Sequence, residues 1–200
     1  MPEVLDCGCG LGQWTFALSL LNEHVCACDI SSERLLLAYR LAEKNGASNI
    51  EYRWADMGSL PYEDERFNAI FCCGSLMFAD VKKSMAEFTR VLKPDGICYI
   101  CINDLGWYRN MPRQYCPKSH RKLAIKITVK YILGMDKYPM VLNRSRLEKI
   151  GREVGLSVEQ YGPEGTISLF GDPDDIPRFY TERYKGRDTV VEAILVRSKR

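Results

Sequence analysis

The stretch Asp6-Cys7-Gly8-Cys9-Gly10-Leu11-Gly12 decides the fold of this chain. A short apolar run, Val4-Leu5, precedes it, and the residues from Gln13 to Leu21 carry apolar side chains at helical spacing. Glycines allow a tight turn and let a ligand approach the backbone closely, and the first amides of the following helix point toward that ligand. The stretch therefore predicts a strand, a ligand-binding turn and a helix, with a plain structural turn as the alternative.

The spacing of the glycines narrows the choice of ligand. A dinucleotide-binding turn has the pattern G-x-G-x-x-G, which would require a glycine in the place of Gln13. Here Gly12 comes one position early. A nucleoside therefore fits this turn better than a dinucleotide, and a nicotinamide dehydrogenase is the less favoured interpretation.

Strand-like and helix-like segments alternate along the rest of the chain. This alternation is typical of a parallel sheet that is covered by helices on both faces. We expect one α/β domain over residues 1–200. The further predicted strands are His24–Cys28, Ile50–Trp54, Phe67–Cys72, Ile97–Ile102, Ser157–Tyr161 and Val190–Val196, and the further predicted helices run from Ser31 or Ser32 to Asn45-Gly46 and from Asp80 to Leu92.

Asp29 follows the second predicted strand directly. A carboxylate in this place can accept hydrogen bonds from both hydroxyl groups of a ribose. The alternative is a simple acid near the helix start at Ser31. The distance from the glycines along the chain favours the ribose role.

Five segments in order resemble the motifs of class I S-adenosylmethionine-dependent methyltransferases, and together they cover about residues 3 to 103. Val4 to Gly12 is similar to the glycine-rich signature of that family, and Asp29 matches its ribose-binding acid. Leu60 to Asn68 resembles the stretch before strand four in small-molecule enzymes of methyltransferase type 11, including the quinone-biosynthesis type. The two other segments are Ala55-Asp56-Met57 and Arg90-Val91-Leu92-Lys93-Pro94-Asp95-Gly96.

The resemblance implies a Rossmann-like, doubly wound sheet of seven strands, mostly parallel with an antiparallel C-terminal hairpin. It implies S-adenosyl-L-methionine as the cofactor and transfer of its methyl group to an O, N or C atom of a small molecule. It assigns the adenine amino group to Asp56 and the methionine part to Cys73 and Gly74. The cofactor-binding residues that it implies are Asp6, Gly8, Gly10, Gly12, Asp29, Ile30, Asp56, Met57, Cys73 and Gly74.

Three features depart from the family pattern. Asn68 replaces the usual Asp of strand four, and Met77 and Phe78 stand where many relatives carry histidines, so a general base from that place is absent. The chain also begins almost at the first strand, whereas relatives usually carry helices upstream that close over the cofactor. We therefore expect a truncated domain or a lid supplied by a partner or another loop. A catalytically inactive, cofactor-binding partner subunit is the alternative function.

Bulk composition excludes several classes of protein. The 200 residues are 46% hydrophobic with a formal net charge of +2, which suits one buried core and gives no global signature of polyanion binding. No apolar run reaches the roughly 20 residues of a membrane span, and the first residues lack a secretory signal, so we expect a cytoplasmic protein. The nine cysteines fall largely in apolar strands, which predicts reduced structural thiols and no metal site.

Residues 104 to 142 interrupt the alternation and are predicted to roof the substrate site. Between Leu105 and Met135 they carry basic residues and no acid. A basic residue at every fourth position predicts a helix, although the alternation from Ile125 to Tyr131 would suit a strand. The lysines that form this stripe are Lys118, Lys122, Lys126 and Lys130.

Three interpretations of this basic segment remain open. It is a solvated helix face, it contacts an acidic substrate, or it rests on an anionic membrane to reach a lipid-like acceptor, with Ile125, Val129 and Leu133 inserted. Nucleic acid is disfavoured, because the rest of the chain contributes no matching basic patch.

No catalytic residue is assigned from the sequence. His24 lies at a strand start, His120 lies in the basic segment, and Asp104 follows the fifth strand, where a turn acid is the simpler role. The aromatic residues that pack in the core or line an acceptor pocket are Trp14, Trp107, Tyr108 and Tyr115.

Overall fold

A computed structural model describes residues 1–114, 118–135, 140–167, 183–184 and 186–198 of the chain, and the side chains of these ranges outside 111–121 and 183–184. Strands and helices alternate through the first half. The strands are β1 (Glu3–Cys7), β2 (His24–Asp29), β3 (Ile50–Trp54), β4 (Phe67–Cys73), β5 (Leu92–Asn103), β6 (Leu156–Pro163), β7 (Arg183–Tyr184), β8 (Arg187–Asp188) and β9 (Val190–Arg197). The helices are α1 (Gln13–Leu21), α2 (Ser32–Lys44), α3 (Val81–Val91), α4 (Leu105–Gln114), α5 (Lys118–Ile132) and α6 (Arg144–Val154).

Seven strands form one sheet in the order β3-β2-β1-β4-β5-β9-β6. The first five strands of the chain pair in parallel, whereas β9 is antiparallel to both β5 and β6. The sequence prediction of a mostly parallel, seven-stranded sheet with an antiparallel C-terminal pair is confirmed. The strand order reverses between β1 and β4, and ligands bind outside the carboxyl ends of the strands at such a point.

Side-chain caps begin three of the helices. Ser31 accepts a hydrogen bond from the amide of Arg34 at the start of α2, and Asp80 and Asn143 cap α3 and α6 in the same way. Each such cap contributes about 1 kcal/mol because it satisfies a helix amide that has no partner within the helix. Helix α1 begins instead at Gly12, which has a φ of 82° and no side chain to offer.

Neighbouring residues of a central strand belong to different clusters of the core. Cys26 and Cys28 of β2 pack in the large cluster that contains Phe88 of α3 and Leu147 of α6. Ala27, between them, packs in a separate cluster under α2. Side chains alternate between the faces of a strand, so helices cover both faces of the sheet and leave the strand ends to form the site.

Several elements differ from the sequence prediction or were missed by it. β5 begins at Leu92 rather than at Ile97, because the Lys93–Gly96 turn is absorbed into the strand, with Asp95 at a φ of 61°. Helix α6 and the short pair β7–β8 were not predicted. The basic segment forms helix α5, as its four-residue spacing predicts, and not a strand. Among the described residues, no helix combines the length and the apolar character needed to cross a membrane.

Candidate functional site

A cavity of about 910 Å³ opens at the carboxyl ends of β1, β2, β3 and β4. It contains all the predicted cofactor-binding residues except Gly12. Twelve of its lining residues were not predicted from the sequence as cofactor ligands, although most of them follow the same strand ends or begin the neighbouring helices. These include Gln13, Arg34, Gly58, Ser75, Ala79, Asp80 and Lys83.

The glycine-rich turn forms one wall of the cavity with left-handed backbone. Gly8, Gly10 and Gly12 have φ angles of 78°, 57° and 82°, which glycine adopts at little steric cost. The amides of Gly8 and Cys9 both donate to the carbonyl oxygen of Cys28, at 2.8 and 3.0 Å, and thereby tie the turn to β2. A Cβ atom built on Gly10 meets no protein atom within 4 Å, so the turn presents bare backbone to the cavity there.

The first and last glycines are needed for packing as well. A Cβ atom on Gly8 would lie 2.3 Å from Oγ of Ser75, in the loop after β4. A Cβ atom on Gly12 would lie 2.6 Å from Cβ of Ala38, in α2. Gly12 does not line the cavity, so the structure gives it a role in seating α1 against α2.

Asp29, at the end of β2, is buried and lines the cavity. Its Oδ2 accepts a hydrogen bond from the amide of Gly10 at 2.9 Å, and its Oδ1 accepts one from the amide of Ser31 at 2.9 Å. The carboxylate thus fixes the glycine turn relative to the start of α2. Two carboxylate oxygens provide about four acceptor positions, so capacity for ligand hydroxyl groups is left.

Asp6 is a second buried carboxyl group in the cavity wall. Burial raises the pKa of Asp6 to about 7, and the nearby Asp29 carboxylate acts in the same direction. The Thr15 hydroxyl donates to Oδ2 of Asp6 at 2.6 Å and partly opposes this rise. A cation placed in the cavity would favour the ionised form of Asp6.

The loop after β3 forms the opposite wall. Oδ1 of Asp56 accepts from the amide of Gly58 at 2.8 Å, which holds the carboxylate in a short turn. Met57 follows and lines the cavity, with its Cε 3.4 Å from where a Cβ of Gly8 would stand. The Trp54 indole donates to the carbonyl oxygen of Ile30 at 2.8 Å and links this loop to the end of β2.

The end of β4 completes the cavity with Cys73 and Gly74. The Gly74 amide donates to the carbonyl oxygen of Cys101 at 2.8 Å, and a Cβ atom at Gly74, whose φ is 70°, would meet no protein atom within 4 Å. Phe78, in the 3-10 turn Leu76–Phe78, is exposed and lines the cavity, whereas Met77 is fully buried. Only one of the two positions that replace family histidines therefore faces the cavity.

Aromatic rings lie along the α1 side of the site. Trp14 lines the cavity and is 40% exposed, so the structure favours pocket lining over core packing, the two roles that the sequence left open for it. Its ring centroid is 5.5 Å from that of Phe71, which in turn stacks on Tyr99 at 5.0 Å. Trp14 is the member of this row that lines the cavity, and Phe71 and Tyr99 support it from behind.

The other residues considered from the sequence lie elsewhere. His24 stands at the amino end of β2, 3.5 Å from Glu3, at the opposite end of the sheet from the cavity. Asp104 precedes α4 and does not line the cavity; burial raises its pKa, as expected of a partly enclosed turn acid. Tyr108 is buried with α5, and Trp107 packs against the same cluster. Tyr115 and the side chain of His120 lie outside the described residues.

A group of potential metal ligands occurs at the amino ends of β1 and β2. Ligand atoms of Glu3, His24 and Cys26 lie within 4.8 Å of one another, because paired strands bring together residues distant in sequence. Arg66 lies among them, with Nε 3.1 Å from Glu3 and Nη2 3.2 Å from the Cys26 sulfur. Burial raises the pKa of the Cys26 thiol to about 12, and the contacts of this group are those of an ion pair centred on Arg66.

The main cavity has the size and donor set of a nucleoside site. Its volume lies at the upper end of the range for small-molecule pockets. Two bare glycine positions, Gly10 and Gly74, leave space where side chains would otherwise stand. The buried carboxylates Asp6 and Asp29 face this space and suit a ligand with ribose hydroxyls and positive charge. S-adenosylmethionine meets these requirements.

Comparison with known proteins agrees with this geometry. Residues 4–96 match the family model described as a methyltransferase domain. The chain is 34% identical over 95 residues to the uncharacterized methyltransferase YcgJ of Bacillus subtilis, and these residues make up 47% of this chain and 38% of that protein. It is 33% identical over 100 residues to the demethylmenaquinone methyltransferase of Clavibacter sepedonicus, covering 50% of this chain and 40% of the relative. The matches thus span well under two thirds of the relatives' own length.

Solved structures share the complete fold. The geranyl diphosphate C-methyltransferase of Streptomyces coelicolor, in complex with Mg²⁺, geranyl diphosphate and S-adenosyl-L-homocysteine, superposes with a TM-score of 0.68 at 16% identity. The superposition covers 98% of this chain and 71% of that one. The strand order, the glycine-rich cavity and the match of residues 4–96 to a methyltransferase domain together support a class I S-adenosylmethionine-dependent methyltransferase.

Proposed function

We propose that this protein transfers a methyl group from S-adenosylmethionine to a small-molecule acceptor. The observation that supports this most strongly is the convergence of the predicted residues on one cavity. Asp6, Gly10, Asp29, Asp56 and Gly74 come from four different strand ends and line the same space.

The cofactor would lie across the carboxyl ends of β1, β2 and β3. Asp29 would accept from the ribose hydroxyls with the acceptor positions that Gly10 and Ser31 do not use. Asp56 would accept from the adenine amino group, since Gly58 already orients its carboxylate. The backbone at Met57 and Ile30 would flank the ring.

The methionine part would lie between the glycine turn and the end of β4. Cys73 and Gly74 would flank it, and the carboxyl group of Asp6 would face its positive charges. An ionised Asp6 interacts more favourably with an ammonium or sulfonium group than the neutral acid does. The buried Thr15 hydroxyl would hold that carboxylate in place.

The reaction requires little acid–base chemistry from the protein. Held by Asp29, Asp56 and the glycine turn, S-adenosylmethionine would supply an electrophilic methyl group on its positively charged sulfur. The residues of this chain would hold the two reactants in line and exclude water. Phe78 and Trp14 line the cavity and would provide apolar surface for that purpose.

The acceptor is proposed to be acidic or lipid-like. Relatives named for demethylmenaquinone and geranyl diphosphate have acceptors of this kind, an isoprenoid quinone and an isoprenoid diphosphate. Helices α4 and α5, in the segment from 104 to 142, would roof the acceptor side and bring a lysine-rich helix to it. An anionic or amphipathic acceptor is therefore favoured over a cationic one.

Transfer of a labelled methyl group tests this proposal. The full chain is incubated with methyl-tritiated S-adenosylmethionine and either a demethylated isoprenoid quinone in detergent or a prenyl diphosphate. The proposal predicts label in the extracted product, lost in the Gly10→Val variant, whose side chain would enter the cavity. Cofactor binding without transfer to either acceptor class, also after addition of candidate partner chains, would contradict it. Transfer only beside a second chain would favour the partner-subunit alternative, and binding of a nicotinamide dinucleotide in place of the nucleoside would favour a dehydrogenase.

A further inference from the structure

Helix α5 and the residue after it expose several large apolar side chains to solvent, which is unfavourable unless another surface covers them. Three of them, together with Leu133 directly after the helix, lie at spacings of four, three and one residues, and we call this set the α5 apolar face. Its members and their exposed fractions are Ile125 at 55%, Val129 at 47%, Ile132 at 71% and Leu133 at 62%. Together they make a patch of the kind that marks an interaction site.

The opposite side of α5 is anchored in the protein. Ala124 and Ile127 are buried, and Ile127 packs with Tyr108 and Val141 in one cluster. Tyr131 packs against that cluster, and the Arg146 guanidinium lies 4.9 Å from its ring centroid. The rotation of the helix about its axis is therefore set, and the apolar face points outward because the other side is already occupied.

The geometry of the helix places lysines beside the apolar face. With 3.6 residues per turn, the apolar face spans about 100° of the helix circumference. Lys122, Lys126 and Lys130 are exposed and follow one edge of it, with Lys122 between Val129 and Leu133 and the other two just beyond Leu133. The buried Ala124 and Ile127 and the partly buried Tyr131 lie on the far side.

The charge around this face has one sign. The sequence carries no acidic residue between Leu105 and Met135. Helix α2 shows the contrast, because its exposed Leu36 and Leu37 stand among Glu33, Arg34, Glu43 and other charges of both signs. A second copy of the same lysine-flanked face would repel it, whereas an anionic surface complements it.

We propose that α5 docks this protein on the surface of an anionic lipid bilayer. The apolar face would enter the boundary between headgroups and acyl chains, and the three lysines would extend along it to the lipid phosphates. Each lysine near an anionic surface strengthens binding about fivefold, so three give on the order of a hundredfold. This surface binding goes beyond the proposed methyl transfer and does not depend on it.

The test is sedimentation of the full chain with lipid vesicles. One set of vesicles contains phosphatidylcholine alone, and the other contains phosphatidylcholine mixed with phosphatidylglycerol. We expect binding to the mixed vesicles that weakens as salt is added, and at least tenfold weaker binding to phosphatidylcholine. Equal binding to both kinds of vesicle, or none to the anionic kind at excess lipid, would overturn the proposal.

Three variants separate the contributions of the apolar side chains and of the lysine charges to vesicle binding. Ile125→Asp with Val129→Asp removes the apolar face, and Lys122→Gln with Lys126→Gln and Lys130→Gln removes the charge. The matched control is Leu36→Asp with Leu37→Asp, which changes two leucines of similar exposure, 51% and 52%, on α2. Both α5 variants should lose anionic-vesicle binding by tenfold or more, and the control should not.

Each remaining outcome is decisive as well. Loss in the lysine variant alone would mean simple charge adsorption and would overturn the inserted helix. Concentration-dependent dimers in sedimentation velocity, abolished by the Ile125/Val129 variant, would assign the face to a second copy instead. The lysine variant alters only exposed polar groups, so its thermal midpoint should match that of the unchanged chain, and its vesicle binding reports on docking even if the aspartate variant unfolds.

Discussion

The cofactor half of the molecule, residues 1–103, and the segment from 104 to 142 are specified in different ways. In the cofactor half, backbone conformation carries the information: three glycines with positive φ and two buried carboxylates build a wall that few other residues could form. In the second segment, helices α4 and α5 are held by a small cluster of Leu105, Tyr108, Ile127 and Val141. Short sequence motifs therefore specify the cofactor half. The segment from 104 to 142, which is proposed to meet the acceptor, depends instead on side-chain packing and charge.

The largest expected effect is a loss of cofactor affinity on substitution of Gly10. Substitution of Gly12 should instead reduce mainly the stability of the fold. Gly10→Ala should weaken S-adenosylhomocysteine binding on the order of a hundredfold while costing only about 1–2 kcal/mol of stability, because its Cβ meets no protein atom. Gly12→Ala should lower the free energy of unfolding by about 3 kcal/mol, because its Cβ would collide with Ala38. Calorimetric titration and urea unfolding of both variants check this. Unchanged affinity in Gly10→Ala would remove the glycine turn from the cofactor site.

The Arg90 side chain should contribute to the stability of the cofactor half, because it holds the loop before β4 against α3. Its guanidinium donates to the carbonyl oxygens of Tyr62 and Leu60, at 2.7 and 2.9 Å, and to Glu87 at 2.8 Å. Arg90→Ala should lower the free energy of unfolding by about 1–2 kcal/mol, after allowance for its partial exposure. Arg90→Lys should restore little, because lysine cannot reproduce the planar set of donors. Urea unfolding tests both, with the exposed Arg53→Ala as the control; full rescue by lysine would refute the geometric explanation.

Asp6 should make cofactor binding depend on pH. Its pKa is raised to about 7 in the free protein, and positive charge in the cavity would lower it, so the complex holds fewer protons than the free protein. Affinity for S-adenosylmethionine should therefore rise with pH, by about fivefold from pH 6 to pH 7. Asp6→Asn should remove this dependence.

The same shift has a consequence for stability with the opposite trend. Folding favours the protonated form of Asp6, so its contribution to stability is complete below its ordinary pKa of 3.8 and is lost as pH rises toward about 7. Titrations at several pH values, together with unfolding of Asp6→Asn, measure both trends. A pH profile that is the same in both proteins would show that Asp6 does not titrate in this range.

The smallest effect is expected in the second segment. The Asn143 side chain donates to the Tyr131 hydroxyl at 2.9 Å, which links α5 to the cap of α6. Tyr131→Phe should cost about 1 kcal/mol of stability and leave cofactor affinity unchanged. Tyr39→Phe on the exposed side of α2 is the control. Thermal unfolding and calorimetry measure these effects, and a loss of cofactor affinity in Tyr131→Phe would show that the two parts of the molecule are coupled.

The sequence alone predicted most of the fold in those segments where residue type restricts the backbone conformation. The start of α1 after Gly12 and the end of β2 at Asp29 follow from glycine conformation and strand–helix alternation. Helix α6 was missed although Asn143 caps it and Gly155 ends it at a φ of 88°, because its apolar stripe is narrow. The ambiguity of α5 arose because its apolar residues from Ile125 to Tyr131 alternate with polar ones, as in a strand, whereas its lysines recur at every fourth residue, as in a helix.

The sequence predicted the cavity residues that belong to motifs, but not most of the other residues that line the cavity. Residues with a motif, such as Asp29 and Asp56, could be named in advance. Ser75, Lys83 and Arg34 could not, because they reach the cavity only through the packing of loops and helices from elsewhere in the chain. The sequence also could not predict that Trp14 faces the cavity, because this orientation depends on tertiary contacts such as that with Phe71.

Calorimetric titration with S-adenosylhomocysteine tests the central claim most directly. The intact chain is compared with Asp29→Ala, whose fold is checked by its thermal midpoint. We predict a dissociation constant on the order of micromolar for the intact chain and at least a hundredfold loss in the variant. Absence of binding by the intact chain, or equal binding by a folded Asp29→Ala variant, would contradict the assignment of this cavity to the cofactor.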